Sequence, residues 1–334
     1  MVSPRVKEYD FIRVFAIFFV FIAHILNTQL SNEYGLLLIR SLSPGLTMSL
    51  LGFISAVLLT KSVEPYGEFL VRRFSRIYTS LFVCLTPVLI LHTFQGKDVI
   101  SQHTLLHFFG FSAFFEIFLV KNKATVGSGL WFVTAILTMY ILMPLLISIF
   151  KHKNNKIHFV IVIVFFTVLQ FTTYGMQSFW NVCISFTLGV FLSTNKLLEN
   201  LQKNGLINSL LISIFIVGLC ALATYRILPY SVRGLLFVFY PIGFIPLFFS
   251  ISNYISERIW KIIFFLSSLS YEFYILHFYL INKNLFELFP RNYELLSMLL
   301  ISFMITLTLS LFCSRISNYI RKIEIKYLLT QNLK

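Results

Sequence analysis

The stretch DFIRVFAIFFVFIAHILN, Asp10 to Asn27, decides the fold. Only Asp10, Arg13 and His24 within it can carry or move a charge, and the rest is an unbroken apolar run suited to crossing a membrane. At 100° per residue, the eleven steps from Arg13 to His24 make three turns plus about 20°. The two side chains therefore share one helix face, roughly 16 Å apart along the axis. Asp10 joins the same stripe, fourteen steps from His24 and about 40° short of four turns. Ionisable groups inside a membrane are costly, and their presence points to function.

The composition agrees with that stretch. Of 334 residues, 57% are hydrophobic, 17% aromatic and only 12% charged, with a mean hydropathy of +0.83. Soluble domains run nearer 45–50% apolar with about a quarter of residues charged. This is an all-α, polytopic membrane protein. The net charge of +14 and pI of about 9.7 sit in short loops between apolar runs, which argues for topology rather than nucleic-acid binding. Cys84, Cys183, Cys220 and Cys313 are dispersed without ligand spacing, so neither a metal site nor a disulfide framework is expected. The basic flank Arg5 and Lys7 precedes an apolar run without a small-residue cleavage site, so the first helix is expected to be retained.

Apolar stretches fall at 11–28, 42–60, 77–95, 105–120, 130–150, 157–173, 180–195, 206–225, 234–252, 262–281 and 295–314. The fourth is short, Phe-rich and interrupted by His107, Gly110 and Glu116. If it does not span and the N-terminus is cytoplasmic, 19 of the 27 Lys and Arg residues lie inside and 8 outside. If all eleven span, the split is 13 to 14. The positive-inside rule selects about ten transmembrane helices with both termini in the cytoplasm. Residues 96–129 then form a long outer excursion, with His103, His107 and an aromatic run of a kind that can dip into the membrane. No repeat, polar linker or second domain is visible. Residues 1–334 read as one transmembrane domain, with a basic amphipathic tail over 315–334 expected on the inner surface.

Four groups of residues could carry chemistry. His24 lies well inside the first helix: it is either a packed imidazole or a neutral general base able to take a proton from a hydroxyl. Arg13 and Asp10 on its face favour the second. Arg72, Arg73 and Arg76, in VRRFSRIY, are either a positive-inside stop signal or a phosphate clamp. Trp131, in GLWFVTAILTMYILMP, stands at an outer boundary where an interface anchor is ordinary. LSSLSYEFYILHF, Leu266 to Phe278, places Ser267, Ser268, Ser270, Tyr271, Glu272 and His277 inside an apolar helix. Hydroxyls there serve as interhelical glue, whereas a Glu and a His in one span point to a buried pair or a polar cavity. No phosphate-binding glycine loop, zinc motif or serine nucleophile elbow is present.

These residues resemble the acyltransferase-3 membrane proteins that O-acylate bacterial surface glycans. Asp10, Arg13, Ala16 and His24 look like that family's D-x-x-R-x-x-A opening and its following His. Arg73 and Arg76 match its paired arginines, and LGFISAVLL (Leu51 to Leu59) its second-helix signature. GLWFVTAILTMYILMP resembles its Trp-containing helix, and SLSYEFYILH its late Ser–Tyr–His helix. The match runs in order from residue 10 to 278. Ala56 stands where a Gly is common, Thr79 where a Pro is usual, and no acidic residue follows Trp131.

The resemblance implies a multi-pass enzyme of the bacterial inner membrane that moves an acetyl group to a sugar hydroxyl. The acceptor would be a lipid-linked or surface polysaccharide such as O-antigen lipopolysaccharide or capsule, reached from the outer side near 96–129. It implies acetyl-CoA as donor substrate with no permanently bound cofactor, and membrane lipids but no nucleic acid as partners. His24 would be the base, Arg13 would bind phosphate or stabilise developing charge, and Asp10 would orient Arg13. Arg73 and Arg76, with Arg72, would hold the donor's phosphates; Trp131, Ser270, Tyr271, Glu272 and His277 are further candidates. Direct transfer and an acyl-enzyme intermediate are both compatible with the pattern. The alternative is a transporter or flippase of polyprenyl-linked glycans. The His on the Arg13 face speaks against it, as does the lack of broken helices in matched halves.

Overall fold

The computed structural model describes residues 5–29, 44–61, 65–97, 99, 101–127, 129–173, 177–203, 205–225, 230–280 and 295–331. Among them the regular elements are helical and no strand occurs. In chain order the helices are α1 (Lys7–Gln29), α2 (Pro44–Thr60), α3 (Tyr66–Phe94), α4 (Gln102–Phe108), α5 (Ser112–Ile117), α6 (Trp131–Lys151) and α7 (Asn155–Thr172). Then follow α8 (Gln177–Thr194), α9 (Leu197–Gln202), α10 (Leu206–Tyr225), α11 (Tyr230–Phe237), α12 (Tyr240–Ser252), α13 (Glu257–Tyr279) and α14 (Leu295–Gln331).

Among the described residues, eight segments are long and apolar enough to cross a membrane: Lys7–Leu26, Tyr66–Phe94, Trp131–Lys151, Asn155–Thr172, Leu206–Ala223, Gly234–Ser252, Glu257–Tyr279 and Leu299–Glu324. Two more of the ten expected segments, Gly45–Thr60 and Ser178–Thr194, are apolar helices that fall short of that length. The Gly234–Ser252 segment is interrupted between α11 and α12, where Pro241 opens the new helix, a position that needs no N–H donor. The stretch 105–120 folds as the two short helices α4 and α5 and is not among the candidate spans. The tail expected over 315–334 continues α14 as far as Gln331. Of the residues counted for charge, Arg40, Arg226, Lys283, Arg291 and Lys334 lie outside the described residues, as do both chain ends.

The chain divides into two compact units that alternate along the sequence. The first comprises Met1–Val63, Glu116–Val120 and Ala135–Ser267; the second comprises Glu64–Phe115, Lys121–Thr134 and Ser268–Lys334.

In the first unit, Tyr9 and Ile12 of α1, Leu50 and Phe53 of α2, and Tyr240 and Phe248 of α12 share one buried core. Helices α2 and α8 run side by side in the same direction: the Val182 side chain lies against Gly52, Gly189 against Phe53, and the Thr60 hydroxyl is 2.5 Å from that of Ser193. A Cβ at Gly189 would lie 2.7 Å from the Phe53 carbonyl and 2.9 Å from the Ala56 methyl. Close backbone approach through small residues is how apolar helices pack where lipid removes the hydrophobic drive.

In the second unit, α3 and α14 run antiparallel, with Ser75 against Glu324 at one end and the Cys313 thiol 3.9 Å from the Val83 carbonyl farther along. The hairpin of α4 and α5 returns alongside α3. Phe108 packs 4.8 Å from Phe82, twelve residues before the end of α3, or about 18 Å at 1.5 Å per residue. The Tyr78 hydroxyl donates to the Phe109 carbonyl at 3.1 Å. Thr134 clamps the hairpin tip: its hydroxyl donates to the Gly110 carbonyl at 2.5 Å and accepts the Ala113 N–H at 3.1 Å.

Candidate functional site

Each unit holds part of the residue set expected to do chemistry. In the first, α1 delivers Asp10 and Arg13 from consecutive turns, and α13 delivers Ser267. Asp10 is buried, 5% exposed, in the first turn of α1, where the helix dipole favours an acid. Its Oδ2 accepts Arg5 Nε at 2.5 Å, while Oδ1 accepts the Ser267 hydroxyl at 2.6 Å and Arg13 Nη1 at 3.3 Å. The same Nη1 donates to Ser267 Oγ at 3.1 Å, which closes a triangle. Asp10 and Ser267 thus fix one edge of the Arg13 guanidinium, whose side chain stays 30% exposed. His24 lies three turns farther along α1, half-buried between the fully buried Phe21 and Ile25.

No local sequence pattern marks Arg5 or Ser267 as a partner of Asp10. Arg5 read as a topological charge, and its 4.6 Å stacking on the Phe264 ring is a tertiary contact that no local pattern announces. Ser267 was visible only as one hydroxyl among several in its helix.

In the second unit, Arg72, Arg73 and Arg76 start α3 but do not act as three equivalent groups. Arg72 and Arg76 are exposed and one turn apart on a single face. Arg73 is half-buried, with its guanidinium 5.5 Å from the Phe69 ring centre. The exposed pair can converge on one anion, whereas Arg73 is held against an aromatic face.

The later part of α13 is tied to α3 and to the entrance of α6. The Tyr271 hydroxyl donates to the Ile77 carbonyl at 3.3 Å, and the buried Glu272 carboxylate accepts the Ser80 hydroxyl at 2.7 Å. The Tyr274 hydroxyl donates to the Gly129 carbonyl. Ser270 is buried in the same helix. His277 is buried, and its Nδ1 donates to the Tyr274 carbonyl at 2.6 Å within its own helix. A carbonyl only accepts, so Nδ1 carries the proton. Trp131 opens α6 half-buried, edge-on to Phe132 at 6.1 Å. Within the second unit these contacts hold helices together.

The α4–α5 hairpin holds a polar network that the sequence did not disclose. Buried His107 bonds Ser112 Oγ through Nδ1 at 2.9 Å and Asn122 Oδ1 through Nε2 at 3.0 Å. Asn122 is oriented by its own contacts: Nδ2 donates to the Val126 carbonyl and Oδ1 accepts the Ala124 N–H, both at 2.9 Å. Oδ1 facing the ring makes Nε2 the N–H donor, so Nδ1 accepts the Ser112 proton. Gly127 closes over this ring at φ +112°, and a Cβ there would lie 2.1 Å from His107 Cε1.

Four free cysteines are buried, and no group of three or more His, Cys, Asp or Glu is placed to hold a metal among the described residues. A family model described as an acyltransferase domain matches residues 6–315. No curated protein and no solved structure matches the chain.

Proposed function

Because the chain belongs to the acyltransferase-3 family, we propose that this membrane acyltransferase moves an acetyl group from cytoplasmic acetyl-CoA to a sugar hydroxyl. The acceptor is a lipid-linked glycan destined for a bacterial surface polysaccharide, and the enzyme resides in the inner membrane. The observation that carries the reading is the fixed Asp10–Arg13–Ser267 triangle, whose Asp10 and Arg13 lie on the helix that also bears His24. Held in place about 16 Å from His24 along the helix, the Arg13 guanidinium meets the donor's phosphates rather than the reacting carbonyl. An imidazole three turns away on the same face supplies the base.

In the proposed step His24 takes the proton of the sugar hydroxyl as the oxygen attacks the thioester carbonyl. The C–S bond then breaks, and the CoA thiolate leaves with the proton from His24. Arg72 and Arg76, on one exposed face, meet the donor's phosphates, with Arg73 beside them.

The test is to incubate the purified protein with acetyl-labelled CoA and lipid-linked glycans and to follow label in the glycan. Loss of a general base is expected to lower transfer about 10²–10⁴-fold in His24→Ala while the protein inserts normally. Undiminished transfer by that variant would remove His24 from the chemistry.

A further inference from the structure

Two carboxamides of the first unit converge on the backbone of α11. Gln170 stands near the end of α7 and Asn181 one turn into α8; both are buried, Asn181 with 1% exposure. A Cβ at Gly234 would collide with Gln170 Nε2 and lie 2.7 and 2.8 Å from Asn181 Nδ2 and Oδ1. Glycine at this position is what lets the pair close on α11. Beside the amides, Trp180 Nε1 donates to the Thr173 hydroxyl and braces α7 to α8.

Asn181 is buried but unused. Neither its Nδ2 nor its Oδ1 has a hydrogen-bond partner among the described residues, and the Ser185 hydroxyl one turn along α8 has none either. A polar residue that glues helices together shows it as a bond. Other buried hydroxyls of the first unit bond back to their own helix: Thr187 donates to the Cys183 carbonyl and Ser213 to the Ser209 carbonyl, both at 2.8 Å. Polar groups kept bare in an apolar interior cost stability that no protein contact recovers here.

Asn181 stands near the depth of His24 in the same unit. Helix α1 starts beside the end of α2, where the Lys61 ammonium lies 5.9 Å from the Tyr9 ring, and the two helices share one core. It therefore runs antiparallel to α2, and His24 lies about 22 Å along from Tyr9. Helix α8 runs parallel to α2 with Ser193 beside Thr60, and Asn181 lies about 18 Å back from Ser193. The two residues differ in depth by about one turn or less. At the same depth the Phe237 ring packs against Gly45, and the span breaks into α11 and α12 directly after it. Non-helical backbone inside a membrane is tolerated where it is buried in protein or lines a cavity.

We propose that Asn181, with Gln170 beside it, is the hydrogen-bonding seat of the acceptor sugar and sets which hydroxyl is presented to His24. The proposal rests on the reading of His24 as the base. A carboxamide and a hydroxyl each donate and accept without charge, so they match as a pair. A phosphate calls for a cation, and a lipid tail offers neither donor nor acceptor.

The test uses the full-length protein in nanodiscs, with acetyl-CoA saturating and the lipid-linked glycan that wild type acetylates varied in concentration. Asn181→Leu is nearly isosteric and is expected to raise the acceptor KM about tenfold or more, with the acetyl-CoA KM unchanged. Its melting temperature is expected to hold or rise, because a bare amide has been removed. Gly234→Ala pushes both amides aside and is expected to raise the acceptor KM about threefold or more. An unchanged acceptor KM in Asn181→Leu gives the amide to buried water and overturns the proposal. A lower melting temperature with the two KM values moving together gives it to helix packing, and also overturns it. If Asn181→Leu does not fold, an unchanged acceptor KM in Gly234→Ala has the same force. A wild type that acetylates no glycan removes the assigned function, and this proposal with it.

Discussion

Asp10 holds three donors at once, and Arg13 is the one whose position bears on catalysis. Replacing the carboxylate by an amide keeps the shape but removes the charge that two guanidinium groups share. Asp10→Asn is expected to lower stability by about 2 kcal/mol, the scale of a lost hydrogen bond to a charged group. If Asp10 acts by orienting Arg13 toward the donor's phosphates, the donor KM rises about tenfold or more with little change in kcat; a purely structural role would lower the melting temperature and leave the donor KM of the folded fraction intact. Steady-state kinetics beside a thermal melt separates the two. The Asp10–Arg13 spacing was legible because i and i+3 share a helix face. Ser267 was not, since it lies 254 residues from Arg13 in the chain and pairings at such separation leave no periodic trace.

At the scale of an element, the α4–α5 hairpin shows what charge counting can and cannot reach. Counting separated 105–120 from the spans. It said nothing of the buried ring inside the hairpin, because a His bonded to Ser112 and Asn122 reads in sequence like any other polar loop. Burial pushes His107 below its usual pKa of 6.5, nearby His103 adds to that, and the Asn122 hydrogen bond opposes it. The sign follows: above about pH 6.5 the ring is neutral whether folded or unfolded, so this group leaves stability flat. As pH falls further the unfolded chain binds the proton first, and the fold loses up to about 1.4 kcal/mol per pH unit from this group. The melting temperature is expected to drop between pH 6.5 and 5, and His107→Gln to reduce that drop while lowering stability at every pH. An equal acid-side drop in the variant would assign it to other groups.

For the whole molecule, the apolar runs marked where helices lie, because only helices satisfy every backbone donor and acceptor in lipid. They did not mark the two compact units, since no polar linker separates them and the boundaries fall inside helices such as α13. Side of the membrane is a separate matter, decided by how many times the chain crosses before each loop. Lys121 and Lys153 are both exposed and flank α6. If 105–120 does not cross, an odd number of crossings puts Lys121 outside and the next one returns Lys153 to the cytoplasm. If it crosses, the two exchange sides, and the basic residues divide almost evenly between the faces, against the usual bias. With the four native thiols buried, single Lys121→Cys and Lys153→Cys variants can be read by a membrane-impermeant maleimide on spheroplasts. Lys121→Cys is expected to react in intact spheroplasts and Lys153→Cys only after lysis. The reverse pattern would turn the excursion into a span and move the arginines of α3 no distance at all, but it would place α6 and every helix after it upside down.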